Sequence, residues 1–212
     1  MAEKRLTKEI AGQFLADEDS VDLNEFTELD DEAAESFSKS EWLYLELNGL
    51  TSLSDAAAES LGKHKGGLSL DGLTSLSDAA AESLSRHKGG WLQLDGLTSL
   101  SDSPGHVALA ESLSKNQGSL RLNGLTSLSD AAAESFSNHE GWLYLNGMTS
   151  RSVSTAEILS THKGEYLALD GLTSLSDAAA ESLNKHEWDL HLDGLTSLSD
   201  AVAESLSEEI CG

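Results

Sequence analysis

The chain has 212 residues, 39% of them hydrophobic, which is enough to bury a core, and its length alone suits one or two domains. Thirteen basic against 37 acidic residues give a formal net charge of −24, which repels nucleic-acid phosphates and anionic lipid heads; neither nucleic acid nor a membrane is expected as a partner, and a basic protein is. No stretch approaches the roughly 20 apolar residues of a membrane span, the N-terminal segment has no apolar leader, and the single cysteine, Cys211, has no internal partner, so the expected location is cytoplasmic.

The first predicted element is a helix within residues 1–18, where "EKRLTKEIAGQFLAD" sets Leu6, Ile10, Phe14 and Leu15 on one stripe. It is expected to cap the repeats. From residue 19 to residue 212 the chain repeats itself as a single domain. "VDLNEFTELDDEAAESF" is a degenerate first copy with Glu25 in the place of a glycine. "GLTSLSDAAAES" then begins at Gly49, and its variants begin at Gly72, Gly96, Gly124, Gly147, Gly171 and Gly194, with spacings of 23, 24, 28, 23, 24 and 23. A period in the twenties, eight times over, predicts eight coils of a solenoid.

Within a copy, Leu-x-Leu-Asx precedes the glycine, as in Leu45, Leu47 and Asn48; this alternation predicts a short strand with two leucines turned inward. After the glycine, "LTSLSDAAAESLGKHK" predicts a helix. Ser52 and Asp55 have the spacing of a capping box, and Leu53, Ala57 and Leu61 share a face. His64 and Lys65 suit the helix C-terminus, and Gly66 is placed for a left-handed cap. Stacked parallel strands lie about 4.8 Å apart and packed helices about 8 to 10 Å, so the stack should curve with its strands inside.

Two copies depart from the rule. Ser103-Pro104-Gly105 opens a five-residue insertion between Asp102 and Glu111 that should bulge before its helix. In the copy at Gly147, Arg151 replaces leucine and Val153 replaces aspartate, which predicts a shifted helix start.

The Leu-x-Leu-x-x-Leu core, the period and the strand-plus-helix pattern resemble bacterial leucine-rich repeats over about residues 19 to 210. Where that family commonly has asparagine, this chain has Leu50, Leu73, Leu97 and Leu125, and its Asn/Asp row lies two residues earlier. The resemblance implies an α/β fold, a right-handed horseshoe solenoid with short parallel strands on the inner face and helices on the outer face. It also implies a curved scaffold for protein partners.

Three further rows recur. Histidines at His64, His87, His139, His162 and His186 read as donors to helix-terminal carbonyls rather than as metal ligands, since no cysteine or acid shares their spacing. Glutamates from Glu35 to Glu204 read as a solvated ladder, and Thr-Ser pairs from Thr51-Ser52 onward as a hydroxyl row with the serine capping the helix. No nucleophile elbow, phosphate loop or paired metal-binding histidines occur, so neither an enzyme, a metal nor a cofactor is expected.

The positions that the repeat leaves free are the strand residues between and just before the inward leucines. They hold Tyr44, Trp91, Gln93, Arg121, Trp142, Tyr144, Tyr166 and His191 among smaller residues, types enriched at binding hot spots. These eight are the expected contact residues of a non-enzymatic protein-binding scaffold. The alternative is a self-assembling repeat protein, a homo-oligomer joined through a last coil that only "SLSEEICG" covers.

Overall fold

A computed structural model describes residues 4–40, 44–149, 152–197 and 199. Arg151, Glu204, Cys211 and the C-terminal coil expected to self-associate lie outside the described residues. The fold is mixed α/β: every strand pairing is parallel, the strands form several short sheets, and no barrel closes among the described residues. The chain forms two compact units, Met1–Leu97 with Ser103–Ser112, and Thr98–Asp102 with Leu113–Gly212.

The first unit opens with β1 (Arg5–Leu6) and α1 (Lys8–Ala16). Leu6 therefore belongs to a strand and not to the helical stripe; it is fully buried and pairs in register with Leu29 of β2 (Glu28–Leu29). Thr7 caps α1 by accepting from the Ile10 N–H. The strand expected near Asp22 is replaced by two single 3₁₀ turns, Glu18–Ser20 and Leu23–Glu25. Their cause is local, because Asp17 and Asp22 each accept from the backbone N–H two residues on, an alternative to a strand ladder. After α2 (Asp31–Ser38), the three-stranded sheet of β3 (Tyr44–Glu46), β4 (Gly67–Ser69) and β5 (Leu92–Gln93) alternates with α3 (Asp55–Leu61) and α4 (Asp78–Leu84).

The helices begin later than expected. Ser54, not Ser52, is the N-cap of α3, and Ser77 of α4, each accepting from an alanine N–H at 3.0 Å. The reason is that the Thr-Ser-Leu segment is extended: the Thr51 N–H and hydroxyl both donate to the Thr27 carbonyl one coil back. Asp55 becomes the first helical residue and accepts from the Ser77 hydroxyl of the next coil, as Asp31 does from Ser54 at 2.5 Å. Helix α3 ends at Gly62 in right-handed geometry, and Gly66 takes no left-handed cap, since Gly118 has the sole positive φ among the described glycines. At the insertion, α5 (Pro104–Ser114) starts on the proline itself, so the extra residues lengthen the helix to 11 and do not bulge out.

The repeated glycine serves close backbone approach. A Cβ on Gly72 would overlap the Asn48 carbonyl of the preceding coil. Beside it, each Asn/Asp side chain accepts from the same position one coil on: Asn24 from Asn48, Asn48 from Asp71 and Asp71 from Asp95, at 2.8 to 3.0 Å.

The second unit follows the same plan. β6 (Ser99–Leu100) pairs with β8 (Ser127–Leu128), and β7 (Leu120–Arg121), β9 (Trp142–Tyr144), β10 (Tyr166–Ala168) and β11 (Asp189–His191) form a four-stranded sheet. Its helices are α6 (Asp130–Ser137), α7 (Val153–Leu159) and α8 (Asp177–Leu183). The helix start at Val153 is not shifted: Ser152 caps it in the usual place. The Asn/Asp row continues from Asn123 to Asn146, Asp170 and Asp193 at 3.0 to 3.2 Å.

The core of both units is a column of strand leucines against paired alanines and one large residue per helix. Leu45, Leu47, Leu50, Ala57, Ala58 and Leu61 are at most 1% exposed. Seven-residue helices are far too short to persist alone, so this burial, about 2 to 3 kcal/mol per leucine, holds them.

Candidate interaction surface

Because register is strict, the free strand positions fall into rows. In the first unit Tyr44 pairs with Gly67, and Glu46 with Ser69 and then Gln93. Gly67 has no side chain, and the Trp91 ring lies over it; a Cβ there would come within 2.8 Å of the indole. Trp91 thereby reaches Tyr44, ring centroids 4.5 Å apart. Burial, then Glu46, raise the Tyr44 phenol above its ordinary pKa. Ser69 faces the same way but is fully buried, its hydroxyl 2.6 Å from Asn48 Oδ1 and 3.2 Å from Gln93 Oε1.

The second unit brings together the other five expected residues. Trp142 pairs with Tyr166 and Tyr166 in turn with Asp189, while in the next row Arg121 pairs with Tyr144, Tyr144 with Ala168 and Ala168 with His191. The Tyr166 ring is the hub: it lies 5.6 Å from Trp142, 5.1 Å from Tyr144 and 4.6 Å from His191. Beneath these rings Ala168 is buried. The Arg121 guanidinium sits over the Tyr144 ring at 5.2 Å from its centroid. Trp142 is half exposed, and burial together with Tyr144 and the carboxylates Asp170, Asp193 and Asp189 raises the Tyr166 phenol above its ordinary value. The result is a shelf of tilted rings in contact with one another, with acid around it.

Sequence reasoning missed Trp188, which is 53% exposed just ahead of β11; it lies one position outside the rows that strand alternation picks out. It also placed the histidines incompletely. Their rings reach back to the preceding coil: Nδ1 of His64 approaches the Phe37 carbonyl, and His139 bridges the Ser114 and Gly118 carbonyls at 3.1 Å each. The rings line up in columns, His64 stacked on partly buried His87 at 6.5 Å, and buried His139, His162 and His186 at 6.2 and 5.8 Å, the last pair tilted. A side chain on Gly164 would strike the His162 ring, so the adjoining glycines make room for the column. Burial first, then the neighbouring His186 and His139, push His162 down to about 4. Among the described residues no group of three or more His, Cys, Asp or Glu is arranged to hold a metal.

The glutamate ladder differs between the units. In the first, Glu35, Glu59 and Glu82 pair with Lys39, Lys63 and Arg86 one helical turn on. In the second, the residues at that spacing after Glu134, Glu157 and Glu181 are Asn138, Thr161 and Lys185. The threonine hydroxyls, a row that could have ordered water, are directed to protein carbonyls instead, Thr126 to Thr98 and Thr149 to Thr126. No helix among the described residues is long and apolar enough to cross a membrane. No protein-family model matches the chain, and no curated protein is significantly similar to it.

Proposed function

We propose that this chain is a non-enzymatic protein-binding scaffold, a right-handed leucine-rich-repeat-like solenoid whose strand face, lined by Tyr44, Trp91, Gln93, Arg121, Trp142, Tyr144, Tyr166 and His191, receives a protein partner. The observation that carries this reading is a contrast. Frame positions are nearly invariant from copy to copy, while the free strand positions vary and hold Tyr44, Trp91, Trp142, Tyr144 and Tyr166, whose rings touch one another within each unit and are partly exposed. Rings already held in contact lose little conformational freedom on binding, which favours affinity. The lone cysteine fits a cytoplasmic setting.

The test is affinity capture from a lysate of the cell that makes the protein, with the native chain beside a Trp91→Ser, Trp142→Ser, Tyr166→Ser variant whose fold is checked by circular dichroism. A partner held by the first and lost by the second is the expected result. Equal recovery by both would sink the strand face as the contact surface.

A further inference from the structure

We infer that the aromatic shelf of the second unit, Trp142, Tyr144 and Tyr166 with Asp189 at its edge, takes a basic peptide segment by stacking arginine side chains on its rings. This rests on the scaffold reading above and names the partner's chemistry. Three observations converge on it. The shelf already holds one guanidinium: Arg121 lies over Tyr144 at 5.2 Å, at one end of the row Arg121, Tyr144, Ala168, His191. Further along, half-exposed Trp142 offers the same kind of face, and among the described residues no side chain stacks a cation on it. Aromatic faces attract cations through the ring quadrupole, tryptophan most of all.

Charge supplies the second argument. Asp189 pairs with Tyr166 in the sheet register, and Asp170 and Asp193 are close enough to bear on the phenol. A cation stacked there would have carboxylates within reach for its remaining N–H donors. The whole chain, at −24, would draw a basic segment in from a distance.

Arginine is favoured over lysine by shape. A planar guanidinium stacks on a ring and still directs its edge donors to a carboxylate, whereas an ammonium keeps a tighter hydration shell. The outcome should therefore depend on the side chain's form as well as its charge.

The experiment uses the full chain and three decapeptides alternating glycine with arginine, lysine or citrulline, the last having arginine's shape without its charge. Binding is followed at low salt by the indole N–H resonances in nitrogen-correlated NMR spectra. The arginine peptide should shift the Trp142 indole, the lysine peptide should bind several-fold more weakly, and the citrulline peptide should not bind. Trp142→Ala should weaken the arginine peptide roughly fivefold, while Trp188→Ala, removing an exposed tryptophan off the shelf, should leave it unchanged. Both side chains are at least half exposed, so neither change empties the core.

Equal binding of arginine and citrulline peptides, or indifference to Trp142→Ala, would overturn the inference. If the arginine peptide fails while the triple serine variant still loses its captured partner, the arginine chemistry falls and the scaffold stands. If both fail, both fall.

Discussion

Gly67 and Gly72 stand five positions apart and show why one residue type answers to different demands. A methyl on Gly67 meets only the Trp91 ring, so Gly67→Ala should turn the indole away from Tyr44, raise and red-shift tryptophan emission, and change stability by less than about 1 kcal/mol. On Gly72 the same methyl meets the Asn48 backbone, which has nowhere to go. Gly72→Ala should cost roughly 2 to 3 kcal/mol in urea unfolding. The sequence marks both glycines but not this difference, because the neighbour lies a coil away. The histidines make the same point with charge. His162 is 4% exposed and held at about 4, below the ordinary 6.5, so its neutral form is the native one. The unfolded chain binds that proton as pH falls below 6.5 and the folded chain does not until about 4. Stability from this residue is thus complete above pH 6.5 and is lost on acidification through that window, roughly 2 kcal/mol by pH 5. His162→Phe keeps a ring in the column and should lessen the drop between pH 7 and pH 5 by about that amount. An unchanged slope would contradict the buried neutral column.

At the scale of the element, the repeat makes strand, turn and helix legible and misplaces the helix start by two residues. Ser52 and Ser54 are both serines within reach of Asp55, and local spacing cannot choose between them. The choice is made by the bonds from Thr51 to the Thr27 carbonyl, which hold the residues before Ser54 out of the helix. Ser54→Ala should therefore lose a cap and a bond to Asp31, about 1 to 2 kcal/mol in thermal or urea unfolding, while exposed Ser52→Ala stays within about 0.5 kcal/mol. The insertion misleads for a related reason. Ser-Pro-Gly signals a turn in isolation, yet proline also suits the first helical position, and Gly105 fits because its N–H donates to Asp78 at 2.6 Å where a side chain would clash. The N-terminal segment is legible as a helix but not as part of the frame: Leu6 pairs with Leu29 as one coil pairs with another.

For the molecule as a whole, composition speaks plainly about charge and not about its placement. Thirty-seven acids against 13 bases must repel one another, a repulsion that the first unit offsets locally by pairing Glu35, Glu59 and Glu82 each with a cation one helical turn on. Raising salt from about 0.02 to 0.2 M should screen this repulsion and stabilise the chain by roughly 1 kcal/mol, some 2 to 4 °C in melting temperature. Melting that falls with added salt would mean that the ion pairs outweigh the excess. The proposed contact surface is the part most nearly written in the sequence, since rows of free positions follow from register alone; which of them are roofed over, as Ser69 and Ala168 are, does not. The Asn/Asp ladder has a last implication. Within each unit the side-chain oxygen of one copy accepts from the backbone N–H at the same place in the next, so a copy inserted or deleted whole would leave the same kind of bond at its junction, with an amide or a carboxylate as acceptor. The frame therefore tolerates a change of length in whole-copy steps, each adding two free positions to the strand rows.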